Sequence, residues 1–364
     1  MVDDGVIEGF SFGFLDGIII KVWQNSEEMI MQTIIEKAVG LDEDSEWLRT
    51  ASKILRAGGL VAFPTETVYG LGGDALNPLA SEKIYAAKGR PSDNPLIVHI
   101  STLSDVYRVA KDVPDAYFRL AEKFLPGPLT VILPKADDLP LSCTGGLDTV
   151  AVRYPAHKMA RDFIKATGTL IAAPSANVST HVSPTTAKHV YDDLNGRIPL
   201  ILDGGECEGG IESTIITLCR EIPTILRPGI ITERDILGVL NEVELFKGKV
   251  EKAEAPGMKY KHYAPRCRAV LASTPEKAIE LYDNAVTDGL SPEILALTEH
   301  IAIYGNRKLI DLGGDEYAVA RHIYNALHVA ENDADFIIID NLTGGGVYDS
   351  VMNRVMKAVA GKVE

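Results

Sequence analysis

Apolar and polar positions fall into two periods along the chain. From Trp47 to Ala57, apolar and small residues recur at helical spacing. This predicts a helix ended by Gly58-Gly59, with a buried strand, Leu60-Val61-Ala62-Phe63, behind it. Apolar runs bounded by Gly, Pro or Asp predict further strands at 96–100, 129–133, 150–153, 171–172, 200–202 and 213–218. Helical patterns lie between several of them, at 81–87, 115–124, 158–166 and 186–194. Residues 29–240 are therefore expected to form one large α/β domain on a twisted mixed sheet. Across 246–268 the periodicity disappears and Lys, Gly and Pro concentrate, so 241–268 reads as a linker. A connection this long is usually functional or disordered. Strand and helix patterns resume at 269–272, 275–285, 294–296, 300–304, 316–332, 336–340 and 350–359. They predict a smaller Rossmann-like parallel α/β domain over 269–364.

The apolar stretch at 10–23 raises the question of a targeting segment. No basic region precedes it, Asp16 interrupts it and no small-residue cleavage site follows, so neither a leader nor a membrane span is expected. Residues 1–28 read as an added strand or hairpin, or as sequence upstream of the true start, for which Met29 and Met31 are alternatives.

Composition narrows the function. The 364 residues carry 36 basic and 51 acidic side chains, a net charge of −15, which disfavours broad phosphate neutralisation on nucleic acid but leaves room for a local anion pocket. The linker lysines and arginines (Lys247, Lys249, Lys252, Lys259, Lys261, Arg266, Arg268) are the one run that could bind RNA, diluted by Glu251 and Glu254. Four scattered cysteines form no C-x-x-C pair, which points to a reducing cytoplasm.

Candidate chemistry clusters at turns. Pro64-Thr65-Glu66-Thr67-Val68-Tyr69-Gly70 follows a buried strand and reads either as a small-ligand site or as a plain strand-to-helix turn. Lys88-Gly89-Arg90 with Asn94 suits phosphate oxygens or, equally, the capping of a helix C-terminus. Hydroxyl and amide groups recur at Thr149, at Ser175 and Asn177, and at Ser183, which is an anion site or an N-cap. Ser213, Thr214 and Arg227 add another hydroxyl pair and another cation. No G-x-x-x-x-G-K-[ST] occurs, which excludes a P-loop, and Gly344-Gly345-Gly346 lacks dinucleotide spacing. Neither H-E-x-x-H nor a paired Cys/His set suggests a transition metal.

In order, FPTETVYGLG, KGRPSDNPL, PGPLTVIL, DTVAVRYP, AAPSAN, SPTT, DGG, GIESTI and LRPG resemble the threonylcarbamoyl-adenylate synthase family with its YrdC-type domain. The resemblance spans about Leu55 to Thr232. APGMKYKHYAP and the α/β unit after it resemble the two-domain form. The resemblance implies a nucleotidyltransferase that makes L-threonylcarbamoyl-AMP from L-threonine, bicarbonate and ATP and releases pyrophosphate. A separate transferase complex would use the product to make threonylcarbamoyladenosine in tRNA, so no stable tRNA binding is expected. It further implies that Thr67, His99, Arg153, the Ala173 backbone and Ser213 hold threonine. Lys88, Arg90, Asn94, Thr149, Ser175, Asn177, Ser183 and Arg227 would hold ATP, with Mg²⁺ carried in by the nucleotide. Lys88 and Arg90 would offset phosphate charge as pyrophosphate leaves, and Tyr263 would close over the site. The chain departs from the family pattern at Leu125, Lys158 and Thr180, the last standing where glycine is common. A carbamoyltransferase of hydrogenase-maturation type shares a YrdC-like domain, but its paired-cysteine zinc motifs are missing.

Overall fold

The computed structural model describes residues 10–15, 18–25, 28–37, 45–248, 253–259 and 262–364. Residues 1–9 of the N-terminal extension, and Lys249, Lys252 and Lys261 of the linker, lie outside them. The elements run β1 (Phe10–Leu15), β2 (Ile18–Asn25), β3 (Glu28–Met31), β4 (Ile34–Lys37), α1 (Glu46–Arg56), β5 (Val61–Phe63), β6 (Gly70–Asp74), α2 (Pro78–Lys88) and β7 (Ile97–His99). Next come α3 (Asp115–Phe124), β8 (Leu129–Pro134), β9 (Thr149–Arg153), α4 (Lys158–Thr167), β10 (Ile171–Ala173), α5 (Ala187–Leu194), β11 (Leu200–Asp203), β12 (Thr214–Thr217), β13 (Thr224–Arg227), α6 (Glu233–Leu237) and β14 (Glu244–Leu245). The C-terminal unit holds β15 (Arg268–Leu271), α7 (Pro275–Thr287), β16 (Pro292–Leu297), α8 (Ile301–Tyr304), β17 (Leu309–Gly313), α9 (Glu316–Asp333), β18 (Phe336–Ile339) and α10 (Val347–Ala358).

Eleven strands form one mixed sheet in the order β14-β13-β12-β8-β9-β7-β10-β6-β5-β11-β4, and four parallel strands form the C-terminal sheet, β15-β18-β16-β17. The expected α/β class and both sheet types are present. In the N-terminal extension, β1 and β2 pair antiparallel, as a hairpin requires.

Side-chain alternation explains how the large sheet is covered. Val61 and Phe63 of β5 point to the side where α1 and α4 pack, through Trp47, Leu48, Leu55, Met159 and Phe163, whereas Ala62 joins the core on the opposite face with Leu71, Ile84 and Tyr117. Helix α1 buries 47, 48, 51, 54 and 55 and exposes 49, 50, 53 and 56, the 3.6-residue pattern of an amphipathic helix.

The structure corrects the sequence reading in places. The glycine-rich segment after β5 does not lead into a helix: Gly70–Asp74 turns back as a strand antiparallel to β5, with Phe63 opposite Gly70. Its glycines reflect crowding, since a Cβ on Gly72 would lie 2.8 Å from Ile171 Cγ2. The helix after the SPTT segment is capped by Thr186, not Ser183, its side chain accepting from the His189 N–H. The strands β4, β13 and β17 were not foreseen.

The two units share a core. Val68, Val182 and Ile211 of the first pack with Tyr263, Leu312, Val319, Ile323, Tyr324 and Val351. At Gly210 the first unit's backbone lies directly against that of α9: a Cβ there would sit 2.1 Å from the Ala320 carbonyl oxygen. That position admits only glycine.

Candidate functional site

Register sets the first groups of the site. Strands β7 and β9 are parallel, and His99 is the Cα partner of Arg153 at their C-terminal ends. Antiparallel β10 brings Ala173 opposite Ile97. Period-two alternation then turns Ile97 and His99 to the same face, where they line one cavity with Arg153 and Ala173. The cavity wall is completed by Thr65 from the loop after β5, Arg90 beyond α2, Ser175 beyond β10, Glu212 before β12 and Arg227 at the end of β13. Pro256, Gly257, His262 and Tyr263 of the linker form its roof.

Three guanidinium groups therefore converge. Arg153 Nη2 pairs with Glu66 Oε1 at 2.8 Å and reaches Thr65 Oγ1 at 3.4 Å, while its buried Nε–H has no protein partner. Arg90 donates to the Asn94 and Pro95 carbonyls. Arg227 donates to the Ser213 carbonyl and to Ser213 Oγ, each at 3.1 Å, and burial lowers its pKa. The Glu212 carboxylate is the counter-charge. Burial opposes its ionisation, but Arg354 and Arg227 beside it, with the Ser183 hydroxyl, hold the pKa down to about 2.

His99 and His262 are neutral at physiological pH. Burial first, then Arg153 in one case and Arg90 in the other, pushes each down to about 3. His99 Nδ1 sits 3.1 Å from the Ile97 carbonyl oxygen, which fixes the ring. Tyr263 is buried with φ at +65°, a left-handed conformation that costs an aromatic residue energy, and it stacks on Tyr324 with centroids 5.5 Å apart.

Among the residues singled out from sequence, Arg90, His99, Arg153, Ala173, Ser175, Arg227 and Tyr263 line this cavity. Others stand outside its lining. Thr67 is fully buried, its hydroxyl 2.9 Å from that of Thr65. Ser213 Oγ lies 2.7 Å from Thr130 Oγ1, and Ser183 donates to Glu212 Oε1 at 2.6 Å. The Lys88 ammonium is buried and bonded to the Ser175 and Asn177 carbonyls, so in this conformation it holds the 175–177 loop; burial, then Arg90, pushes its pKa well down. Asn177 accepts from Ser175 Oγ at 2.5 Å. Asn94 is buried with no partner for its Oδ1, and Thr149 opens β9, half-buried.

Sequence reasoning gave no role of their own to Glu66, Glu212 and His262. Each lay inside a quoted segment, as the middle carboxylate of T-E-T, the carboxylate of G-I-E-S-T and the histidine of K-H-Y, so the signal was local. Tyr324 and Arg354, which hold Glu212 from the other unit, had none.

Comparison with known proteins agrees with this architecture. Residues 53–229 match the Sua5/YciO/YrdC family model, described as "telomere recombination". Residues 231–360 match the model for the threonylcarbamoyl-AMP synthase C-terminal domain. Threonylcarbamoyl-AMP synthase of Pyrococcus abyssi is 41% identical over 324 residues, covering 86% of this chain and 94% of that one. Its Bacillus subtilis counterpart is 43% identical over 331 residues, covering 89% and 96%. The crystal structure of P. abyssi Sua5 complexed with L-threonine superposes with a TM-score of 0.85 at 40% identity, covering 91% of this chain and 99% of that one. With matches that run through both units, the chain belongs to the threonylcarbamoyl-AMP synthase family.

Proposed function

We propose that this protein condenses L-threonine, bicarbonate and ATP into L-threonylcarbamoyl-AMP and pyrophosphate, the first step of threonylcarbamoyladenosine formation in tRNA. The observation that carries this reading is the convergence of Arg90, Arg153 and Arg227 on one cavity beneath Tyr263. Three cations in a largely dehydrated space suit a carboxylate and a polyphosphate together. The unpartnered Arg153 Nε–H is a ready donor for the threonine carboxylate, with neutral His99 and the Ala173 backbone beside it. Thr67 and Ser213 would act from behind, through Thr65 and Arg227. Arg90 and Arg227 would face the phosphates, supported by Lys88, Asn94, Thr149, Ser175, Asn177 and Ser183.

The neutral threonine amine attacks bicarbonate with loss of water, or adds to carbon dioxide with release of a proton to solvent, to give a carbamate; a carbamate oxygen then attacks the α-phosphorus and the bond to the β-phosphate oxygen breaks as pyrophosphate leaves. A carbamate is short-lived, so positioning and exclusion of water contribute more than any single proton-transfer group. No dedicated general base is assigned. Mg²⁺ would enter with ATP and offset phosphate charge. The described residues contain no cluster of three acidic, His or Cys side chains to hold it, so its ligands would be phosphate and water. The free volume of the cavity is about 50 Å³, well below the roughly 300–1,000 Å³ of sites that enclose a small-molecule ligand. Admission of threonine and ATP would therefore require the cavity to open, in keeping with a lid role for Tyr263.

The product would pass to a separate tRNA-modifying transferase complex. Direct RNA binding through the linker is disfavoured because Lys259 pairs with Asp93, Arg266 with Asp193 and Arg268 with Glu364. No helix among the described residues is long and apolar enough to cross a membrane; a cytoplasmic location is part of the proposal. Purified protein given ATP, Mg²⁺ and bicarbonate should release pyrophosphate only when L-threonine is added, with L-serine as the control. Threonine-independent hydrolysis, or no release, would refute the reading.

A further inference from the structure

The C-terminal unit reaches the cavity wall through two helices. On α10, Ser350, Arg354 and Lys357 share one face at i, i+4 and i+7. Ser350 Oγ donates to the Gly229 carbonyl at 2.8 Å, and Lys357 Nζ donates to the linker carbonyl of Gly257 at 3.1 Å. Arg354, 1% exposed, donates from Nε to Glu212 Oε2 at 3.2 Å, from Nη2 to the Glu212 carbonyl at 3.4 Å and from Nη1 to the Pro228 carbonyl. On α9, Tyr324 donates to the same carboxylate, 3.0 Å from Oε2 and 3.2 Å from Oε1, and offers its ring to Tyr263. Glu212 lines the catalytic cavity and in turn accepts from Ser183. The Arg354 side chain thus sits one bond removed from the cavity wall, on a unit that contributes no strand to the catalytic sheet.

We propose that Arg354 is a positioning residue for the reaction: from the C-terminal unit it fixes Glu212 in the wall of the catalytic cavity, and through Glu212 it sets Ser183 and the Tyr324 platform beneath Tyr263. The assignment rests on the proposed synthase reaction. It makes the C-terminal unit part of the active site. A buried carboxylate deprived of its guanidinium takes up a proton more readily, and a protonated Glu212 would no longer hold its donors in the same geometry. The other groups facing Glu212 are Arg227 on β13, Tyr324 on α9, His262 and Tyr263 on the linker and Lys357 on α10.

The test uses full-length wild type, Arg354→Met, Arg354→Lys, Tyr324→Phe, Glu212→Gln and the double variant E212Q/R354M. Pyrophosphate release is followed from pH 5.5 to 9, below the thermal midpoint of each protein. Arg354→Met is expected to lose at least 30-fold in kcat/KM at pH 7, with its acid limb moved up by at least one pH unit. Arg354→Lys should recover part of that loss, Tyr324→Phe should lose severalfold, and E212Q/R354M should lie within threefold of Glu212→Gln, without the new limb. A folded Arg354→Met with the wild-type profile would overturn the assignment, as would a double variant that loses the product of the two single effects. Should Arg354→Met fail to fold, Arg354→Lys and Tyr324→Phe decide by the same limb and the same fold-changes. Inactive wild-type protein would overturn the reaction itself, and the assignment with it; active wild type with unaffected variants overturns the assignment alone.

Discussion

Thr180 has φ at +78° and an exposed side chain, and its carbonyl accepts the Ala264 N–H at 2.9 Å where the linker ends. A β-branched residue in the left-handed region costs about 1–2 kcal/mol, and glycine there gives back only about 0.5–1 kcal/mol in extra chain entropy. Thr180→Gly should therefore stabilise the protein by up to about 1 kcal/mol, measured as a rise in urea midpoint at unchanged slope. A lower midpoint would contradict this account of the departure from the family glycine. Arg153 makes the opposite case. Its fork spans Glu66, Thr65 and a free Nε–H, and lysine reproduces only a point charge. Arg153→Lys is expected to raise KM for threonine at least tenfold with KM for ATP within threefold; equal changes in both would remove Arg153 from the amino-acid end. Hydroxyls and cations at these positions were legible because turn segments carry them as contiguous motifs. Arg354 was not, since a buried arginine inside a regular amphipathic helix shows no local irregularity, and only tertiary packing brings it to Glu212.

At the scale of elements, the legible strands were those written as near-continuous apolar runs, such as β8 over Leu129–Leu133. The illegible ones lacked that signature for physical reasons. Strand β6 consists mostly of glycine and has few side chains to show a period, and β4 lies exposed at the sheet edge with Ile34 and Ile35 outward. The linker's sequence shows no period, and the absence of a period says nothing of where the segment packs. Its end is held over the cavity by the Tyr263–Tyr324 stack and the Lys357–Gly257 bond. Tyr263→Ala removes the stack and relieves the strained φ only in part, since alanine also disfavours the left-handed region. Pyrophosphate release should fall at least tenfold while the far-ultraviolet circular dichroism stays as in wild type. Undiminished turnover would reduce the segment to a tether.

For the whole molecule, pH acts where the two units meet. His189 of the first unit stacks on His328 of the second with centroids 4.0 Å apart, and His328 Nε2 lies 3.2 Å from the Ser183 carbonyl. Burial first, then His328, pushes the His189 pKa down to about 3. Asp193 and Lys188 on α5 and Thr185 Oγ1 also face its ring, and Glu331 pairs with His328 at 3.3 Å. A histidine whose folded pKa lies below its unfolded value of about 6.5 binds fewer protons when folded. Its contribution is then fully present above pH 6.5 and is lost as pH falls toward 3. At pH 5 the shortfall is about 1.5 pH units, or roughly 2 kcal/mol at 1.36 kcal/mol per unit. His99 and His262, shifted the same way, add terms of the same sign. The loss of stability from pH 8 to pH 5 should therefore be steep in wild type and smaller by about 2 kcal/mol in His189→Gln, read from urea unfolding at each pH. Glu212, whose folded pKa is depressed, adds its own loss only below about pH 4.5 and so does not confuse that window. An identical pH slope in the two proteins would mean that the His189 pKa is the same in the folded and the unfolded chain, and that burial against His328 does not lower it.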